Sequence, residues 1–335
     1  MTYNVVFFYD SNDINKDEKI SLSQKVLAAI GDKCGNKFEL APYPLPDITS
    51  GEVSACKENA VCTAKSAHAI LFFTCAQPYQ ATTVDRLANS LGLYAKTSCT
   101  TAFATNGSNR RFAIVSDTAG GIAESGFRNN QTFGREAYDV VSYSELEIER
   151  VARIAYELAE NSRRHVTLVD MANKLTTSKL WRKIVTDINE DYPYVSVNML
   201  TANYAINQLL KNPSQFDIIL TPSMLADILS SVCKEAEGTE VCAFNTYDNA
   251  IISQANGGTA LTAYLGETTL GMYGVNAQSQ NPIFGIMLSI SMMLRHSLDM
   301  CDAANSVESA VEKLLSENSA TLEIYKNQII SILKK

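Results

Sequence analysis

Residues 147–175 read EIERVARIAYELAENSRRHVTLVDMANKL, and this stretch decides the fold. Over residues 145–160, Ile148, Val151, Ala152, Ala155 and Leu158 recur at helical spacing and share one face. Ser144 stands where an N-cap belongs, and Glu147 three residues later completes a capping box. The pattern then changes. HVTLV, residues 165–169, is a short β-rich run of the kind that becomes a buried strand. A capped amphipathic helix delivered straight into a buried strand is one unit of an α/β protein.

The same alternation extends both ways. Upstream, residues 4–9 read as a buried strand, 22–30 as a helix, 68–74 (HAILFFT) as a strand, 84–94 as a helix and 112–116 as a third strand. Downstream come a helix over 178–188, a strand over 195–200, a helix over 202–210, and a short strand over 216–220 that Thr221-Pro222 ends. A helix over 223–233 follows. This order predicts α/β architecture with parallel strand pairing. A loop-rich region surrounds Gly257-Gly258. Residues 284–298 (FGIMLSISMMLRHSL) are nearly all apolar, yet too few to span a bilayer, and predict a buried core helix. Helical patterns over 307–316 and 320–333 finish the chain. No internal repeat or low-complexity tract interrupts it.

Bulk properties exclude several classes. The 335 residues suffice for one large domain or two ordinary ones. A net charge of -8 argues against non-specific binding to nucleic acid or an anionic membrane. The apolar run Val5 to Tyr9 meets Asp10 at once and has no basic start, unlike a secretory signal. These features predict a cytoplasmic protein. The eight cysteines (34, 56, 62, 75, 99, 233, 242 and 301) contain no CxxC pair, and His68, His165 and His296 lie far apart, so no zinc motif is legible. The cysteines read as reduced thiols, several of them buried.

Four phrases carry a resemblance. They are residues 147–175 above, LWRKIVTDINEDYPYVSVNML at 180–200, KNPSQFDIILTPSMLADILS at 211–230, and NPIFGIMLSISMMLRHSL at 281–298. In this order the chain resembles the isopropylmalate and isocitrate dehydrogenases, the β-decarboxylating dehydrogenase family. Residues 1–100 share only the pattern. The resemblance implies an α/β fold of two domains with a central cleft. Residues 1–98 plus 250–335 would form the first, cofactor-side domain, and residues 99–249 the second, dimerisation domain. It further implies a homodimer whose sites borrow residues from the partner subunit, with NAD and Mg²⁺ as cofactors.

The family's reaction is hydride transfer from a 2-hydroxy acid to a nicotinamide, followed by loss of carbon dioxide. It needs a lysine as proton acceptor, a tyrosine as proton donor, arginines for the substrate carboxylates and aspartates for a divalent ion. The lysine should follow HVTLVD and precede Ala-Asn, where this chain has Met171; Lys174 is the possible substitute. The tyrosine should follow Gly120-Gly121-Ile122, and Ala123 is there. An arginine near the end of the preceding strand is Ser116. The three aspartates align with Asn203, Asp227 and Ser231, which leaves Asp227 as the one carboxylate for a metal. Asp227 reads equally well as a solvated or helix-capping residue. The substrate arginines align with Ala88 and Ser98; Arg86 and Lys96 are the nearest bases.

In the cofactor loop, Thr268, Thr269, Leu270, Gly271, Met272 and Tyr273 replace the expected His-Gly-Ser-Ala-Pro-Asp. Asn281 survives at a position the family uses near adenine, although an N-cap before Pro282 explains it equally. The N-terminal glycine-rich turn is replaced by Tyr9-Asp10-Ser11-Asn12-Asp13. The expectation is a protein of this fold that has lost oxidative decarboxylation. It would act as a non-catalytic ligand-binding or regulatory homologue, as a homodimer or a mixed dimer with an active paralogue, with a small acidic metabolite in the old cleft. One alternative is an NAD-dependent dehydrogenase of 3-isopropylmalate-type substrates that uses Lys174 and Arg86. Another is an enzyme of altered chemistry built on Lys174, Asn203, Tyr204, Asp227 and Tyr273.

Overall fold

The computed structural model describes residues 1–45, 53–74, 87, 91, 93–104, 110–117, 120–130, 134–235, 242–252, 271–276 and 282–316. In chain order its elements are β1 (Thr2–Tyr9), α1 (Lys16–Cys34), β2 (Lys37–Pro44), α2 (Val53–Lys65), β3 (Ala69–Thr74), β4 (Ala95–Ala104) and β5 (Arg110–Asp117). The hairpin β6 (Gly121–Asn130) and β7 (Gly134–Ser142) leads to α3 (Glu145–Glu160), β8 (His165–Asp170), α4 (Thr176–Asn189), β9 (Ser196–Thr201) and α5 (Ala202–Lys211). A 3₁₀ turn (Pro213–Gln215), β10 (Ile218–Thr221) and α6 (Ser223–Glu235) follow, then β11 (Cys242–Ile252), β12 (Gly271–Asn276), α7 (Pro282–His296) and α8 (Cys301–Ser316). The chain divides into two compact units, Met1–Leu93 with Tyr247–Lys335, and Tyr94–Thr246.

In the first unit the strands run β2-β1-β3-β12. β1 pairs in parallel with both β2 and β3, and β12 in parallel with β3. Val5, Val6, Phe7 and Phe8 are all buried, as a strand covered on both faces requires. α7 is a core helix, with Ile286, Met287, Ile290, Met293 and Leu294 buried. It is tied to α8 through Glu308, which accepts from Ser291 Oγ at 2.6 Å and Arg295 at 2.9 Å. Among the described residues no helix is long and apolar enough to cross a membrane.

In the second unit the order is β4-β5-β10-β8-β9. β5, β10, β8 and β9 are parallel, and β4 is antiparallel to β5. Strand alternation sorts the core into two layers. Ala113, Val115, Val166, Leu168, Ile218 and Leu220 meet α3 and α4 on one face. Phe112, Ile114, Val169 and Ile219 meet α5 and α6 on the other. Trp181 is fully buried in the first layer, edge-on to Tyr143 at 5.4 Å between ring centroids. The α3 cap forms as its sequence requires: Glu147 N–H donates to Ser144 Oγ at 3.3 Å, and Ser144 N–H donates to Glu147 Oε2 at 2.7 Å.

Several sequence expectations need correction. α1 starts six residues earlier than the apolar spacing suggested, at Lys16 rather than residue 22, because its first turns are polar. α8 starts at Cys301, also ahead of the pattern. β4 and β11 bring antiparallel pairing into a chain expected to be parallel. β2, α2 and the β6–β7 hairpin were not foreseen. Of the four cysteines whose side chains are described, Cys233 is buried and Cys34, Cys62 and Cys301 are exposed, and burial of the other four lies outside the described residues. The helix expected over 84–94 lies mostly outside the described residues. The loop around Gly257-Gly258 and the helix over 320–333 lie wholly outside them.

One helix-face carboxylate responds to pH. Glu157 on α3 is pushed up to about 8, first by burial and then by the charge of Glu160, with Arg153 and a Tyr192 hydrogen bond opposing. The folded chain therefore holds this proton where the unfolded chain has released it. Across the window from 4.5 to about 8, folding stability falls as pH rises. Glu157→Gln is expected to flatten that slope and raise the thermal midpoint above the wild type at the alkaline end. Melting curves taken across the window check it; parallel curves for the two proteins would contradict it.

Candidate functional site

The family-matched residues that the structure brings together lie in the second unit, at the carboxyl ends of β5 and β10 and along α6. This is where open parallel sheets place ligands. β4 and β5 set Lys96 directly opposite Ser116, and β10 sets Thr221 beside Ser116 on the other side. Ser116 and Thr221 are buried. The Lys96 ammonium lies 3.5 Å from Asp227 Oδ1 on α6; the Lys96 side chain is 22% exposed and that of Asp227 75%. Asp227 is therefore largely solvated, one of the two expectations for it, and pairs with a lysine that the sequence offered only as a nearby base. The sequence carries no signal for this pair, because it depends on the register of β4 against β5 and on the face of α6.

Beside this pair, the Gly120-Gly121 turn is shaped by Tyr143. A Cβ at Gly120 would sit 2.8 Å from the Tyr143 ring and 2.9 Å from the Asp117 carboxylate. Gly121 has φ +109°, a region side chains avoid. Gly120 N–H donates to Asp117, which also accepts from Arg150 at 3.3 Å. Burial raises the Asp117 pKa, against the Gly120 hydrogen bond and the Arg150 charge. Burial likewise raises the Tyr143 phenol, against a hydrogen bond with Ser223. Arg150 also stacks 4.4 Å from the centre of the Tyr94 ring. Asp117, Arg150, Tyr143 and Ser223 went unread in the sequence. Asp117 is bonded to Gly120 and Arg150, and Tyr143 to Ser223, so these side chains support the turn, while the buried Arg150 Nε has no hydrogen-bond partner among the described residues.

Met171, the residue after β8, is half-buried and packs against the layer containing Phe112, Ile114, Ala202 and Leu225. Its carbonyl accepts from both Lys174 N–H and Leu175 N–H at 2.8 Å, a tight turn that leaves Lys174 exposed. The turn is pinned by Asp170, which takes Arg182 at 2.6 and 3.0 Å and Ala172 N–H at 2.9 Å. Asn203 and Tyr204 are exposed on the first turn of α5. Ser231 is exposed and donates to the Asp227 carbonyl at 2.8 Å. Ala123 lies on β6, Ser98 on β4 and Tyr273 on β12, opposite Leu71. Ala88, Arg86, Asn281 and residues 268–270 lie outside the described residues.

The residues present do not fit a divalent ion. Among the described residues no group of three or more His, Cys, Asp or Glu side chains could hold one. Asp227 is one carboxylate and already faces an ammonium. An amide and a hydroxyl do not supply the charge that repays dehydration of Mg²⁺. Nor does the N-terminal turn suit a pyrophosphate. Asp10 and Asp13 carboxylates take the N–H groups of Asn12 and Asn15, each at 2.9 Å, and Asp13 pairs with Lys19 at 2.6 Å.

The fold is that of known dehydrogenases. The chain superposes on an isocitrate dehydrogenase from Methylococcus capsulatus with TM-score 0.73 and 18% identity, covering 99% of this chain and all of that one (100%). A β-decarboxylating dehydrogenase from Thermococcus kodakarensis gives 0.74 and 22%, covering 99% and 96%. In sequence, the isocitrate/isopropylmalate dehydrogenase model matches residues 10–334. A 3-isopropylmalate dehydrogenase from Staphylococcus saprophyticus is 31% identical over 316 residues, 86% of this chain and 82% of the relative. One from Staphylococcus epidermidis is 36% identical over 213 residues, 60% of this chain and 56% of the relative, so against it the match spans little more than half its length. The chain belongs to the isocitrate/isopropylmalate dehydrogenase family.

Proposed function

We propose that this chain keeps the family scaffold but has given up NAD-dependent oxidative decarboxylation, and that it serves as a ligand-binding or regulatory homologue. The observation that carries the reading is Met171. The position where the resemblance implies a proton-accepting lysine holds a half-buried thioether packed against an apolar cluster. A methionine neither accepts a proton nor carries charge. Ala123 in place of the tyrosine and Asn203 and Ser231 in place of two carboxylates support the same reading. The ligand class is a small acidic metabolite, and the assembly a homodimer or a mixed dimer with an active paralogue.

A second reading rests on a different observation: the curated relatives named here are 3-isopropylmalate dehydrogenases, one of them matched over 82% of its length. On that reading the chain is an NAD-dependent dehydrogenase of a 2-hydroxy acid, with displaced groups doing the chemistry. Mixing the purified chain with 3-isopropylmalate, isocitrate or malate in a calorimeter, with NAD present, separates the two. Heat of binding without reduced cofactor supports the first reading, and reduced cofactor supports the second.

A further inference from the structure

We propose that Lys96 takes the electrostatic place of the divalent ion at Asp227, so that this chain binds a carboxylate ligand without metal. The proposal rests on the reading of a ligand-binding homologue and names the chemistry of its site. Asp227 is the sole carboxylate among the three positions the family gives to the metal, and Lys96 Nζ stands 3.5 Å from it. A divalent cation drawn to Asp227 would meet that ammonium as a like charge.

The ammonium is not free to leave. Lys96 sits between Ala95 and Thr97, both buried, in register with buried Ser116, and its own side chain is mostly covered. The carboxylate is the wet member of the pair. A ligand carboxylate can compete for the ammonium while Asp227 turns to water, which gives a single positive point charge at the carboxyl end of β5. Lysine suits that role, since an ammonium offers three donors without a fixed fork.

The test uses the full-length chain. Free Mn²⁺ is followed by its electron paramagnetic resonance signal, and a panel of malate, isocitrate and 3-isopropylmalate is titrated by calorimetry with EDTA and then with Mn²⁺. The expected result is no Mn²⁺ binding below about 1 mM and ligand heat that EDTA leaves unchanged. Lys96→Met should weaken the ligand about tenfold or more, the worth of a charge-assisted bond, while Lys96→Arg should hold it within about threefold. Circular dichroism melts confirm that both variants fold. Tighter Mn²⁺ binding by the wild type, ligand binding only in the presence of Mn²⁺, or no binding of the panel overturns the proposal. Turnover in EDTA would sink the functional reading and leave this one standing; Mn²⁺ binding without turnover would do the reverse.

Discussion

Supplied with 3-isopropylmalate, NAD and Mn²⁺, the purified chain is expected to form product at least about 10³-fold more slowly than a working family member, read as steady-state reduction of the cofactor. Three deficits lead there. The hydroxyl proton of a 2-hydroxy acid has no acceptor at position 171, where the half-buried Met171 packs against the apolar cluster of α5 and α6. The enol formed on loss of carbon dioxide has no donor at position 123, because alanine carries no acidic proton. The charge that builds on oxygen has a single carboxylate, Asp227, to seat a divalent ion opposite it, and that carboxylate faces Lys96. Groups that act as a unit do not lose rate additively, so the combined loss lies near that of the most damaging one. The substitute base, Lys174, is exposed on a turn three residues beyond, where Met171's carbonyl holds its backbone. A rate within tenfold of a typical dehydrogenase, about 10 s⁻¹, would show that displaced residues suffice.

The second large effect concerns the fold. Asp217 is buried in the second unit at 1% exposure. Its carboxylate accepts from Ser162 Oγ at 2.6 Å, Arg163 N–H at 2.9 Å and His165 N–H at 3.2 Å, and it pairs with Arg163 Nε at 3.7 Å. One side chain thus ties the turn after α3 to the start of β8 and to β10. Asp217→Ala leaves these donors without an acceptor and is expected to cost roughly 3–5 kcal/mol. At about 2–4 °C per kcal/mol for a chain of this size, the thermal midpoint should drop on the order of 10 °C. Asp217→Asn, which keeps one acceptor oxygen, should lose less. A midpoint unchanged by the alanine variant would mean that water replaces the carboxylate.

How far the sequence revealed these features follows from the physics of each segment. α3 and β8 were legible because their apolar spacing is strong and the cap residues are local. α4, α5 and α6 were placed to within a turn for the same reason. β2 was not, because its burial alternates weakly and Pro42 and Pro44 mark it as an edge strand. The β6–β7 hairpin has polar, glycine-containing strands that resemble loop sequence. At the site, substitution at family positions could be counted from the motifs. The Lys96–Asp227 pair could not, because it depends on the register of β4 against β5 and on the face of α6. The Asp117–Gly120–Tyr143–Ser223 set is equally non-local, joining residues more than a hundred positions apart.

A single-turnover experiment bears most directly on the proposed loss of chemistry. The chain is held in excess over 3-isopropylmalate, with saturating NAD and Mn²⁺, and the absorbance of reduced nicotinamide is followed. Excess protein removes product release and weak affinity as explanations of a slow rate. A flat trace on the timescale of ordinary enzymatic turnover is expected. One reduced nicotinamide for each substrate molecule on that timescale would contradict it.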